Sequence, residues 1–94
     1  VGGATAVALA QVLSHLAQSH QVIVVTHLAQ VAVVGDRHYL VSKVGDAVPE
    51  TTIEEISGDE RVEEVARMLS GDQTQTSLDH AREMLAAAAS QKIR

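Results

Sequence analysis

The stretch "VIVVTHLAQVAVV" (residues 22–34) puts a hydroxyl residue and a histidine, Thr26 and His27, between a wholly apolar run and a short helical pattern. In open α/β sheets, ligands bind outside the carboxyl ends of the strands. His27 falls at such an end if residues 22–25 form a strand. A helix starting just beyond it would present free N–H groups and a partial positive charge to an anion. A histidine there can donate a hydrogen bond to a phosphate oxygen or orient a water that attacks it. The alternative is a histidine that merely closes a strand, packed or solvated. The local pattern leaves both open.

Other chemistry-bearing residues are less pointed. Gly2 and Gly3 precede the first helical stretch, where they either admit a close backbone approach or simply form a turn. Neither GxxxxGK[ST] nor GxGxxG occurs, so no phosphate loop of those types is present in the sequence. His15 and His20 are five residues apart, not the four that align two metal ligands on one helical face, and HExxH is absent. No metal site is expected. Glu54, Glu55, Asp59, Glu60, Glu63 and Glu64 form an acidic region that reads as a solvated face around a helix start. With no cysteine and no serine in a GxSxG setting, covalent hydrolase chemistry lacks its nucleophile.

The elements that must position these residues follow from periodicity. Residues 4–18 carry Leu9, Leu13 and Leu16, with Val12 alongside, and predict a helix buried along that stripe. Residues 22–25 are four consecutive β-branched residues, the pattern of a strand buried on both faces. Leu28, Val31 and Ala32 fit at most two helical turns before Gly35. Residues 37–44 and 50–56 read as a hairpin around Gly45 and Asp46, the second strand polar enough for an edge. "SGDE" (residues 57–60) is a capping-box pattern. The helix it opens carries Val62, Val65, Ala66 and Leu69 on one face up to Gly71. A last helix is expected from Thr76 or Ser77 to about Ser90, striped by Leu78, Ala81, Leu85 and Ala88, with "QKIR" frayed.

Composition bounds the rest. With 94 residues, 46% of them hydrophobic, the chain suffices for one core, which must be built without Phe or Trp. The net charge of −5 and the scattered seven Lys and Arg argue against a duplex-DNA footprint. Lack of cysteine fits a reducing, cytosolic setting. No apolar run approaches the roughly 20 residues of a membrane span, so no membrane partner is expected. The opening residue is Val1, which reads as a piece of a longer chain.

Taken together, "VGGATAVALAQVL", "QVIVVTHLAQVAVVGDRHYLVSK", "ERVEEVARMLSGD" and "SLDHAREML" resemble the C-terminal end of the RecN family, bacterial ATPases of DNA double-strand-break repair related to the SMC proteins. The resemblance covers nearly the whole chain. It implies an α/β fold, part of an ABC-type ATPase head: helix, strand, short helix, strand hairpin and two C-terminal helices. It implies that Val1, Gly2 and Gly3 belong to the D-loop facing a second head across an ATP-sandwich dimer. It also implies that His27, preceded by Thr26, is the switch histidine near the ATP γ-phosphate. Walker A, Q-loop, signature and Walker B motifs are missing from these residues, as is the coiled-coil arm.

The resemblance therefore implies ATP and Mg²⁺ as cofactors of the intact protein, none of which is expected to stay on these 94 residues alone. Implied partners are the N-terminal part of the same head, a second head, and DNA in the intact protein. Cytoplasmic, nucleoid-associated localisation goes with that assignment. The competing expectation is a self-contained protein–protein interaction module, its acidic region and last two helices docking a partner.

Overall fold

The computed structural model describes residues 2–91. Its elements are α1 (Gly3–Leu16), α2 (Ala29–Ala32), β1 (His38–Val44), β2 (Glu50–Ile56), α3 (Gly58–Ser70) and α4 (Gln75–Gln91). The mixed α/β architecture, with a hairpin followed by two helices, agrees with the sequence expectation.

The core forms where small residues let helices approach. Ala29 and Val33 from α2 and its end, Val65 and Ala66 from α3, and Ala81 and Ala88 from α4 make one buried cluster, with Val62, Leu69, Leu78 and Leu85 packed around it. Val65 is fully buried. Burying a valine side chain stabilises the fold by roughly 1.5 to 3 kcal/mol. The α3 stripe expected from the sequence faces α4, and the stripe on α4 faces α3.

The ends of these helices are set locally. Gly71 stops α3 at φ 79°, in the left-handed region, and its N–H bonds the Arg67 carbonyl at 2.7 Å. Four residues later α4 starts, its entry fixed by Thr74 Oγ1, which accepts the Ser77 N–H at 3.2 Å. At the start of α3, Ser57 holds the N-cap position, but its hydroxyl makes no capping bond, so the capping box is formed in sequence only.

β1 and β2 pair antiparallel, from His38 opposite Ile56 to Val44 opposite Glu50. The turn depends on Gly45: its φ is 100°, and a Cβ there would lie 2.9 Å from the Val48 carbonyl oxygen. His38 and Leu40 turn partly inward and Ile56 is buried, whereas Tyr39, Val41 and Ile53 are exposed.

Two expectations fail in the first third of the chain. Residues 22–25 form no regular element and join no sheet; Ile23 is 86% exposed and Val25 95%. The only described strands, β1 and β2, pair with each other, which leaves this run without a ladder. On α1 the buried positions are Ala6 and Ala10, with Leu13 half-buried, while Leu9, Val12 and Leu16 face outward. α1 packs against α2, and its two buried positions are both alanines. The radius of gyration, 14.0 Å, exceeds the about 12 Å of a closed domain of this length.

Candidate functional site

Thr26 and His27 lie in the bend between the apolar run and α2. Thr26 Oγ1 accepts the Leu28 N–H at 3.0 Å, a local hydroxyl-to-backbone turn that fixes the direction of the chain around His27. The Leu28 carbonyl then accepts the N–H groups of Val31 and Ala32 at 3.1 and 3.0 Å, which opens α2. His27 itself is exposed, and its ring has no hydrogen bond or ion pair among the described residues. The helix-dipole element of the sequence reading is corrected here. α2 is a single turn, too short for an appreciable macrodipole, and the first N–H after His27 is already bonded to Thr26.

Gly2 is the N-cap of α1 and Gly3 its first residue; Val1 lies outside the described residues. Gly2 has an extended backbone, φ −72° and ψ 162°, which any residue adopts. A Cβ at Gly2 or Gly3 would meet no atom within 4 Å. Nothing inside the described chain therefore requires glycine at either place. No hydrogen bond joins these glycines to the Thr26–His27 bend among the described residues.

The remaining histidines do not converge. His15, His20 and His80 are exposed, Ser19 Oγ and His20 Nδ1 share a hydrogen bond at 2.8 Å, and no metal-ligating group of three or more exists among the described residues. His38 is different. Burial lowers its pKa from 6.5, the nearby Arg61 charge lowers it further, and Glu64 partly opposes both. Its Nδ1 is buried without a hydrogen-bond partner. The acidic region is likewise not uniform: five of its carboxylates are exposed, but Glu64 is buried and held by the Arg67 guanidinium, with Arg67 Nε donating to Glu64 Oε1 at 2.8 Å. This bond, with the carboxylate charge behind it, raises the Arg67 pKa.

Arg61 is the residue that sequence reasoning missed. Its Nη2 donates to the carbonyls of Gly35 at 2.8 Å and Ala32 at 3.1 Å, with Val33 at 3.5 Å. The Ala32 carbonyl also accepts the Gly35 N–H at 3.3 Å, so the half-buried guanidinium adds a charged donor at the end of α2 and in the turn behind it. A signal was available: Arg61, Val65 and Leu69 recur every four residues, so the arginine begins an apolar stripe. Two open grooves are present, one of about 430 Å³ beside Arg61 and Arg82, the other of about 700 Å³ between α1, α2 and α4. Neither is lined by Thr26 or His27.

An irregular apolar run ending in a half-buried Thr26 and an exposed His27, followed by a helical turn and then by hairpin and helix pair, defines a mixed α/β segment. No family model matches the chain. Among curated proteins it is 52% identical over 87 residues to the DNA repair protein RecN of Deinococcus radiodurans, covering 92% of this chain and 15% of that protein. It is 46% identical over 90 residues to RecN of Streptomyces coelicolor, covering 94% of this chain and 16% of the relative. It is 46% identical over 94 residues to RecN of Mycobacterium leprae, covering 98% and 16%. At such identity over nearly its whole length, the chain is a relative of the RecN DNA repair proteins, and it spans about a sixth of their length.

Among the described residues no helix is long and apolar enough to cross a membrane.

Proposed function

We propose that this chain is part of the ATPase head of a RecN-like protein acting in DNA double-strand-break repair and recombination, and that it carries the switch histidine. The observation that carries the reading is the placement of His27. It is exposed on a bend held by Thr26, directly after an apolar run with no strand beside it, in a chain closely similar to RecN. Pairing of residues 22–25 with strands from the N-terminal part of the same head would bury Ile23 and Val25 and fix His27 at a strand end. There its imidazole N–H would donate to a γ-phosphate oxygen, and the Thr26 hydroxyl lies one residue away. ATP supplies the transferable phosphoryl group. The groups that hold the rest of the triphosphate and its Mg²⁺ belong to motifs outside these residues.

Gly2 and Gly3, whose lack of a side chain answers no internal contact, fit a D-loop facing a second head. Val1 belongs to the same loop in this reading. A cytoplasmic, nucleoid-associated setting and contact with DNA elsewhere in the protein follow from the same assignment, as does a lack of ATPase activity in the 94 residues alone.

The test is His27→Ala in the full-length protein. Folding is expected to be kept and ATP turnover to fall about a hundredfold. Unchanged turnover would leave the interaction-module reading, which has less support: α3 and α4 direct their apolar stripes at one another and keep little for a partner.

A further inference from the structure

We infer that Arg61 is a positioning residue for His27, so that α3 sets the stance of the phosphate-sensing bend through α2. The inference rests on the proposed role of His27 and adds a residue to it.

α2 is held at both ends and along one side. In front, Thr26 Oγ1 fixes the Leu28 N–H. Along the side, Ala29 and Val33 enter the core shared with Val65 and Ala66 of α3. Behind, the Arg61 guanidinium grips the Ala32 and Gly35 carbonyls at 3.1 and 2.8 Å. A four-residue helix has too few internal bonds to keep its own shape, since a first turn fixes several dihedrals for one hydrogen bond. Its geometry is therefore borrowed from these anchors. Arg61 is the anchor with a charged, directional contact, and it lies on a different element from the bend it stabilises.

One nitrogen, Nη2, makes all three contacts and so ties the end of α2 and the turn after it to a single point on α3, while Arg61 Nε is buried without a partner. Loss of the guanidinium would take this partner from the Gly35 carbonyl and leave the Ala32 carbonyl only the Gly35 N–H at 3.3 Å, and the end of α2 would loosen. His27, two residues before α2, would then lose its fixed direction. Arg61 touches no substrate in this scheme; it acts through α2.

The experiment measures ATP and ADP affinity by calorimetric titration of the full-length protein and of Arg61→Gln, Arg61→Lys, His27→Ala and the double variant Arg61→Gln/His27→Ala. A γ-phosphate sensor contributes to the preference for ATP over ADP, not to ADP binding. Arg61→Gln is expected to reduce that preference about tenfold, with ADP affinity and binding stoichiometry kept and no further loss in the double variant. Arg61→Lys is expected to restore part of it. A merely structural role would lower the binding-competent fraction for both nucleotides and leave the preference intact. An unchanged preference in Arg61→Gln, while His27→Ala loses it, overturns the inference and spares the role of His27. An unchanged preference in His27→Ala overturns both. If Arg61→Gln does not fold, Arg61→Met, which keeps the apolar stem and removes the donor, decides: a preference equal to that of the parent protein overturns the inference.

Discussion

The helical hairpin of α3 and α4 and the first third of the chain have equally clear apolar patterns and opposite fates. Val65, Ala66, Ala81 and Ala88 find one another within the described residues and are buried. Leu9, Val12, Leu16, Ile23 and Val25 find nothing and face outward. Hydrophobic periodicity reports which surface a segment can bury, and it is silent on whether the covering surface is in the same chain. One region is a finished piece of core. The other leaves apolar surface uncovered among the described residues.

That contrast is broken most forcefully at Val65. An aspartate in place of this fully buried residue strands a charge in the core, and a cost on the order of 3 kcal/mol or more is expected to leave the chain unfolded in thermal melts. Val25→Asp, at an equally apolar residue, is expected to change the stability of the 94-residue chain by no more than about 0.5 kcal/mol. In the full-length protein Val25→Asp should destabilise severely. A harmless outcome there would mean that residues 22–25 are not covered by the rest of the head.

Glycines sharpen the same comparison at smaller magnitude. Gly71→Ala forces a Cβ into the left-handed region that ends α3 and should cost about 1 to 2 kcal/mol in denaturant unfolding. Gly2→Ala, at an ordinary extended backbone with open space around it, should leave stability unaltered. Equal losses at the two would contradict the difference between an internal and an external role for glycine.

The smallest effect concerns pH. Because burial and Arg61 lower the His38 pKa in the folded state, the unfolded chain binds the proton first as pH falls below 6.5. His38 therefore favours folding fully above that value, and its contribution declines with falling pH until the folded-state pKa is passed. Melting curves between pH 7 and 5 should be flatter for His38→Gln than for the parent chain. An identical slope would show that His38 titrates alike in both states.

Much of the fold was legible because it is local. The hairpin announced itself through Gly45 and its flanking strands, and the last helix came within two residues of its observed start. The N-cap position of Ser57 was right, although the reciprocal bonds of a capping box did not form. What escaped depends on partners far apart in sequence. The α1 stripe misled because leucines announce hydrophobicity more loudly than the alanines that make contact. Arg61 was unread because an arginine on an apolar stripe looks like a helix-surface charge until three carbonyls 26 to 29 residues earlier in the chain are brought to it. Thr26 and His27 stood out at once, but their pattern alone did not choose between a solvated histidine and a ligand-facing one. Resemblance to RecN is what favours the ligand-facing reading, which is proposed above and tested by His27→Ala.

The run "QVIVVT" has a consequence for the material itself. It is a six-residue segment rich in β-branched side chains, uncharged and free of proline and glycine, which is the composition of a steric-zipper strand. Left uncovered, many copies can stack in register, each satisfying the backbone of the next. A solution of the isolated chain should accordingly become turbid with time and bind amyloid dyes as concentration rises, with residues 21–26 as the seed. The segment proposed to complete a sheet in the whole head is, when uncovered, the start of a fibril.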